Sequence, residues 1–192
     1  MAKKVFLGIG HGGSDPGAVA NGLKEKDLNL SIGLYTKSEL ERHGVSVGIS
    51  RTTDENDPLT EEIKECNAFN PDLAVEIHNN AGGGDGCEIY HYSKGGTSKT
   101  LAQNILNEVV AIGQNSRGLK TKLGANGKDY FGWIRGTVAP AVLVECAFVD
   151  NKTDIAIIDT PEEQKKMGVA IAKGILKTLG IAYVEEKPVV PD

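Results

Sequence analysis

Apolar positions in this chain fall into two alternating patterns. Short continuous runs occur at Val5–Ile9, Val45–Ser50, Leu73–Ile77, Gly86–Tyr92 and Ala141–Glu145. Runs of that length, bounded by glycine or polar clusters, read as strands, several of them buried on both faces. Between them lie longer stretches with apolar residues three or four apart. Leu28, Ile32 and Tyr35 share one face of a helix expected over Glu25–His43, and Gly44 ends it. Asp57-Pro58 reads as an N-cap with proline at the first helical position. It opens a helix to about Phe69, which Asn70-Pro71 stops. Thr97 or Ser98 caps another, running to about Gly113 with Leu101, Ile105, Val109 and Ile112 in one stripe. A capping box, Thr160-Pro161-Glu162-Glu163, opens the last, which passes through Met167, Ile171 and Leu176 to Gly180. Ser116–Gly136 is glycine-rich and polar and reads as a long loop with a short strand near Tyr130–Ile134.

Strands alternating with helices predict an α/β fold: a single three-layer domain with a mostly parallel twisted sheet and helices on both faces. Residues 1–182 would form that domain, and 183–192, charged and proline-containing, a linker-like tail. The length of 192 residues suits one such domain with a full core. Aromatics make up only 5% of the chain, so the core must rest on Val, Ile, Leu and Ala.

A net charge of -5 without a dense Lys/Arg stretch argues against a nucleic-acid partner. No apolar run approaches the ~18 residues of a membrane span, so no membrane insertion is expected. Met1-Ala2-Lys3-Lys4 is basic, but Val5–Ile9 is too short for a signal peptide's apolar region. The expectation is synthesis in the cytoplasm, and a monomer is favoured. Cys66, Cys87 and Cys146 form no CxxC pair and read as small buried residues with reduced thiols.

Three of the strand runs end on residues that bind or work beside a metal. Val5–Ile9 leads into His11, Leu73–Ile77 into His78, and Ala141–Val144 into Glu145. Ligands collect at the carboxyl ends of strands in open α/β sheets, because the loops there leave a crevice. Two imidazoles and a carboxylate at one sheet edge point to a zinc hydrolase, which uses three protein ligands and leaves a position for water. Two acids compete for the third ligand. Glu25 begins the first helix, where it would equally serve as a favourable charge on the helix dipole. Asp15 lies in the turn Ser14-Asp15-Pro16-Gly17. Glu145 follows a buried run, where a carboxylate is costly unless paired or near a cation. A salt bridge to Arg135 or a lysine and a catalytic role fit it equally. Strand alternation sends Cys146 to the other side. His43, at a helix C-terminus, and His91, between two tyrosines, read as structural. The glycine loop Gly8–Gly17 lacks both GxGxxG and P-loop spacing, so it is not read as a phosphate site.

The motifs, taken in order, resemble those of zinc-dependent N-acetylmuramoyl-L-alanine amidases of the amidase-3 type. Ile9-Gly10-His11-Gly12-Gly13 with Asp15-Pro16-Gly17, then Leu23 through Leu30, resembles their opening. Arg51-Thr52-Thr53-Asp54 resembles the segment after their second strand. Glu76-Ile77-His78-Asn79-Asn80-Ala81 resembles their "S-I-H-x-N-A" element, with Glu76 where serine is usual. Val142 through Asn151 resembles their closing motif, with Ala147 for the usual glycine. Glu61 and Lys64 stand where an arginine is common. These departures bear on substrate preference rather than on the chemistry.

The resemblance covers residues 4 to about 180. It implies one Zn2+ held by His11, Glu25 and His78, choosing Glu25 over Asp15, with Glu145 as general base and acid. It implies peptidoglycan as partner and cleavage between N-acetylmuramic acid and L-alanine. Asn79 and Asn80 are candidates to hold substrate, and Tyr130, Phe131 and Trp133 to wall its groove. The setting implied is a phage endolysin that reaches the wall once the membrane is opened, or a secreted autolysin in truncated form. The alternatives are a non-catalytic wall-binding module and a zinc amidohydrolase of a small soluble amide.

Overall fold

The computed structural model of the chain describes residues 2–186. Strand β1 (Lys4–Ile9) leads through a two-stranded hairpin, β2 (Val19–Ala20) and β3 (Leu23–Lys24), into helix α1 (Glu25–Arg42). Then come β4 (Ser46–Ile49), α2 (Leu59–Phe69), β5 (Leu73–Asn80) and β6 (Cys87–His91). After α3 (Thr97–Ala111), β7 (Ser116–Lys120) and the short α4 (Gly132–Gly136), β8 (Ala141–Phe148) returns to the middle of the sheet. The one-turn α5 (Lys152–Ile155) and the long α6 (Pro161–Leu179) follow.

Among the described residues, the main sheet has the order β4-β1-β5-β8-β6-β7. The first four strands run parallel, and β6 meets β8 antiparallel while pairing with β7 in parallel. Alternation along the central strands sorts the core into two halves. Val5, Leu7, Ile9, Val75, Ile77, Val142, Val144 and Cys146 face α1, α3 and α6. Phe6, Ala74 and Leu143 face the thinner layer of α2 and α4, where Trp133 and Cys66 complete the packing. Cys146 thus sits in the large core, across the sheet from its neighbour Glu145, and all three cysteines are free and buried. Burial pushes the Cys66 thiol up to about 12, which leaves it unreactive near neutral pH.

The helix-start signals were obeyed unevenly. Thr160 Oγ1 accepts from Glu163 N at 3.2 Å, Pro161 opens α6, and Gly180 closes it in the left-handed conformation. Asp57 does not cap α2. Pro58 takes the N-cap position with no side-chain bond, and the helix starts at Leu59. Ser98 lies inside α3 rather than capping it, with its hydroxyl between Tyr92 N and Ala141 O. The expected long loop is a strand at its start, β7, and a helix where Tyr130–Ile134 reads as a strand. Of the expected tail, 187–192 lie outside the described residues. Tyr183 stacks on His43 with ring centroids 4.9 Å apart, and Val184 N donates to His43 Nε2 at 3.0 Å. No described helix is long and apolar enough to cross a membrane.

Candidate active site

His11 follows β1 by two residues and adopts a left-handed backbone, φ 64°. A non-glycine residue there costs of order 1 kcal/mol, and the conformation turns the imidazole back over the sheet edge. Asp15 Oδ2 meets its Nδ1 at 2.8 Å. The β2–β3 hairpin carries the chain round so that α1 begins directly beside it. Glu25, the first residue of α1, is almost fully buried and receives Ala18 N on Oε2 at 2.9 Å. His78 lies on β5, with its ring over Gly10 where a Cβ would overlap it. Glu145 stands directly opposite His78 in the parallel β5–β8 register.

Glu25 bridges the two imidazoles. Its Oε2 is 3.2 Å from His11 Nε2 and its Oε1 2.9 Å from His78 Nδ1, while Asn79 N donates to Oε1 at 3.1 Å. Ligand atoms of His11, Glu25 and His78 lie within 4.8 Å of one another, a grouping that could hold a metal ion. Nitrogen and carboxylate donors suit zinc. The outer ring nitrogens face carboxylates too: Asp15 on His11, and Glu76 Oε1 at 3.5 Å from His78 Nε2. Such outer partners fix ring orientation and tautomer in metal sites.

The electrostatics follow from this crowding. Burial alone would raise Glu25, yet the hydrogen bonds from His11 and His78 hold it well below the usual carboxylate range. Burial would lower His78, but the charge of Glu76 and the bond to Glu25 lift it well above an ordinary imidazole. His11 is raised mainly by Glu25. Glu145 behaves oppositely. Burial, reinforced by the charges of Glu25, Glu88 and Glu76 and opposed by His78, pushes it up to about 7, and its Oε2 is buried without a partner. Arg135, weighed as its ion-pair partner, instead donates to the Asp129 and Tyr130 carbonyls.

A cavity of about 450 Å3 opens beside these residues, lined also by Pro58, Leu59, Phe131, Trp133 and Leu143. Trp133 is fully buried, its Nε1 donating to Val142 O at 3.1 Å. Tyr130 is 52% exposed and stands edge-on to Phe131. Asn79 is turned inward, its amide on Asn29 Oδ1 at 2.9 Å, and Asn80 reaches Glu88 at 3.2 Å. His43 and His91 lie in backbone hydrogen bonds away from the cluster.

Four residues of the site are given no catalytic or binding role by the sequence. Arg51 is 2% exposed and ties the end of β1 to α1, donating to the carbonyls of Ile9, Gly10, Lys26 and Thr53. Asp57, Glu62 and Glu76 line the cavity. The signals for them are the Arg51-Thr52-Thr53-Asp54 resemblance and the acid at position 76, where serine is usual in the resembling motif. Burial, then the charges of Glu76 and Asp57, pushes the Glu62 carboxyl well up.

Two imidazoles and a carboxylate beside a buried, unpartnered carboxyl, at the carboxyl ends of parallel strands, form the kind of donor set a metal-dependent hydrolase uses. Comparison with known proteins narrows this class. Residues 5–177 match the family model described as N-acetylmuramoyl-L-alanine amidase. The chain is 37% identical over 183 residues to the N-acetylmuramoyl-L-alanine amidase CwlM of Bacillus licheniformis, covering 93% of this chain and 70% of that protein. It is 36% identical over 185 residues to the endolysin of Bacillus phage SPP1, covering 94% and 68%. Among solved structures, Cwp6 from Clostridium difficile superposes with a TM-score of 0.91 at 41% identity, over 93% of this chain and 30% of that longer one. The chain belongs to the N-acetylmuramoyl-L-alanine amidase family, enzymes that hydrolyse the amide between N-acetylmuramic acid and L-alanine in peptidoglycan.

Proposed function

We propose that the chain cleaves this amide as a single-zinc hydrolase, with His11, Glu25 and His78 as ligands and Glu145 as general base and acid. The observation that carries the reading is the pairing of a convergent His-Glu-His donor set with a buried, unpartnered carboxyl on the neighbouring strand. Bound zinc would supply Lewis acidity, lowering the pKa of a water towards ~7 and polarising the scissile carbonyl. Glu145 Oε2 then accepts the proton of the attacking water and returns it to the L-alanine nitrogen as the C–N bond breaks. Its raised pKa suits both halves of that task, since a group poised near the working pH can take and give one proton. Asp15 and Glu76 hold the imidazoles in the ligating orientation by accepting from their outer nitrogens.

Of the groove candidates, Tyr130 is the side chain with surface to offer a glycan or peptide, standing edge-on to Phe131, which lines the cavity. Trp133 supports the cavity floor. Asn79 serves through its backbone N–H, which holds Glu25, and Asn80 through Glu88. The target is bacterial peptidoglycan, in keeping with the relatives named N-acetylmuramoyl-L-alanine amidase and endolysin. The test is release of new L-alanine N-termini from purified peptidoglycan, with zinc, after chelation, and with Glu145→Gln. Zinc-dependent release that vanishes in the variant is expected. New reducing ends without new N-terminal alanine would overturn the assignment.

A further inference from the structure

Apart from Glu76, which also faces His78 Nε2, the wall of the catalytic cavity formed by α2 and the segment before it has no part in the hydrolysis described above. Asp57, Glu62 and Glu76 line it, with Asp15 and Glu145 nearer the metal ligands, and no lysine or arginine lines the cavity among the described residues. Glu62 is 3% exposed and Glu76 4%. Glu62 Oε1 and Asp57 Oδ2 are buried without any hydrogen-bond partner. One donor is at hand for Asp57 and Glu62, the Ser50 hydroxyl, which already accepts from Ile9 N and has a single proton to give. Arg51 lends charge nearby, but its N–H groups go to backbone carbonyls.

The chain makes room for this arrangement. Gly8 of β1 lies beneath Glu62, and a Cβ there would come within 2.6 Å of Glu62 Oε1 and 3.2 Å of the Trp133 ring. Buried carboxyl oxygens left without donors are costly in the ionised form, and the two that face this cavity beside Glu76 are relieved when a cation meets them. A metal ion is not that cation. Among the described residues the three acids do not form a group with ligand atoms as close as those of His11, Glu25 and His78. An ammonium fits better. Its donors spread over acceptors several ångströms apart, and Phe131 and Trp133 line the same cavity.

We infer that Glu62, Asp57 and Glu76 form a subsite for a primary ammonium group of the peptidoglycan substrate. This rests on the amidase reading of the neighbouring cluster. Glu76 and His78 project from the same face of β5 two residues apart, so the subsite adjoins the metal ligands. Two sources offer that chemistry: the side-chain amine of the stem peptide's diamino acid, and the C2 amine of a de-N-acetylated muramic acid.

Three substrates separate the sources. The first is N-acetylmuramoyl-L-alanyl-γ-D-glutamyl-L-lysine, the second its Nε-acetyl form, and the third the Nε-acetyl form with the sugar amine free. The zinc-loaded protein and its Glu62→Gln variant are compared by kcat/KM for each, and by calorimetric binding of each compound. The subsite predicts that one free-amine compound is favoured over the doubly acetylated one by about tenfold or more in both measurements. It also predicts that the ratio falls to about one in Glu62→Gln. Preference for the first compound names the stem, and for the third the sugar. Ratios near one in the wild-type protein overturn the subsite without a variant, as does a preference that persists in folded Glu62→Gln. Absence of turnover on all three would strike the amidase reading instead, and the binding ratios would still decide the subsite.

Discussion

The raised carboxyl of Glu145 makes a prediction in which activity and stability move in opposite directions. Its pKa stands at about 7 against an ordinary 4.5, with burial as the largest cause. In the unfolded chain Glu145 ionises as the pH passes its ordinary value. In the metal-free fold it holds its proton until about 7. Below the ordinary value both states are protonated and the residue costs nothing. As the pH climbs from there to about 7 the unfolded state is favoured progressively, and above 7 the penalty stays constant. The shift corresponds to about 3 kcal/mol, an upper figure because neighbouring acids titrate in the same interval.

Glu145→Gln removes the charge while keeping the shape. The metal-free variant should therefore melt about 6–12 °C above the wild-type protein at about pH 8, and within a degree or two of it at about pH 4. The assay is thermal unfolding of both proteins under chelation across that range. The same variant should lose about 100- to 10,000-fold in turnover when zinc-loaded. An offset in melting temperature that does not change with pH would show that the Glu145 charge is not strained by its surroundings, and the argument for a poised base would go with it. A variant that is less stable at about pH 8 would refute it more directly.

Four further outcomes follow from named contacts. With zinc bound, kcat/KM should rise with pH along a limb inflecting at or below about 7, since a nearby cation favours the ionised base; a flat profile from about pH 5 to 8 would remove Glu145 from that role. Asp15→Asn withdraws the carboxylate 2.8 Å from His11 Nδ1 and should weaken zinc binding about 10- to 100-fold in competition with a chromophoric chelator; unchanged affinity would leave Asp15 without a part in the site. Arg51→Lys should cost about 3 kcal/mol or more in urea unfolding, because an ammonium cannot replace a planar fork spread over four carbonyls. Gly174→Ala puts a methyl into the Ile105 backbone where α6 crosses α3 and should lose about 1–3 kcal/mol with the site's zinc affinity intact.

What could be read from sequence and what could not divide along physical lines. Continuous apolar runs mark β1, β5 and β8 because both faces of a central strand are covered, and Thr160 with Glu163 marks α6 because its capping bond is local. Insertion of β8 between β5 and β6, antiparallel to β6, depends on pairing between segments over fifty residues apart, which no local pattern encodes. Glu62 reads as one more polar residue on an amphipathic helix, and Asp57 before a proline reads as a cap. Only tertiary packing turns them towards the cavity. The tight turn at His11 is similar: a φ of 64° is uncommon for a non-glycine residue, and no local preference announces it.

The register of the sheet explains why the site lies where it does. Gly8 pairs with Glu76 and Glu76 with Leu143; one step further, His78 pairs with Glu145 and Glu145 with Glu88. Both rows point to the thin layer of α2 and α4, since the alternate residues Val75, Ile77, Val142 and Val144 fill the larger core behind. Side chains as large as His78 and Glu62 could not lie down on that face if positions 8 and 10 carried side chains. Gly8 and Gly10 clear the space, one beneath the Glu62 carboxyl and one beneath the His78 ring. The thick helical layer on the opposite face anchors the strands, so the charged face need not supply much apolar packing. It can instead hold several buried carboxylates whose mutual repulsion a cation relieves. On this view zinc and substrate ammonium are stabilising partners of the fold as well as parts of the chemistry, because each neutralises charge that the register of β1, β5 and β8 forces together.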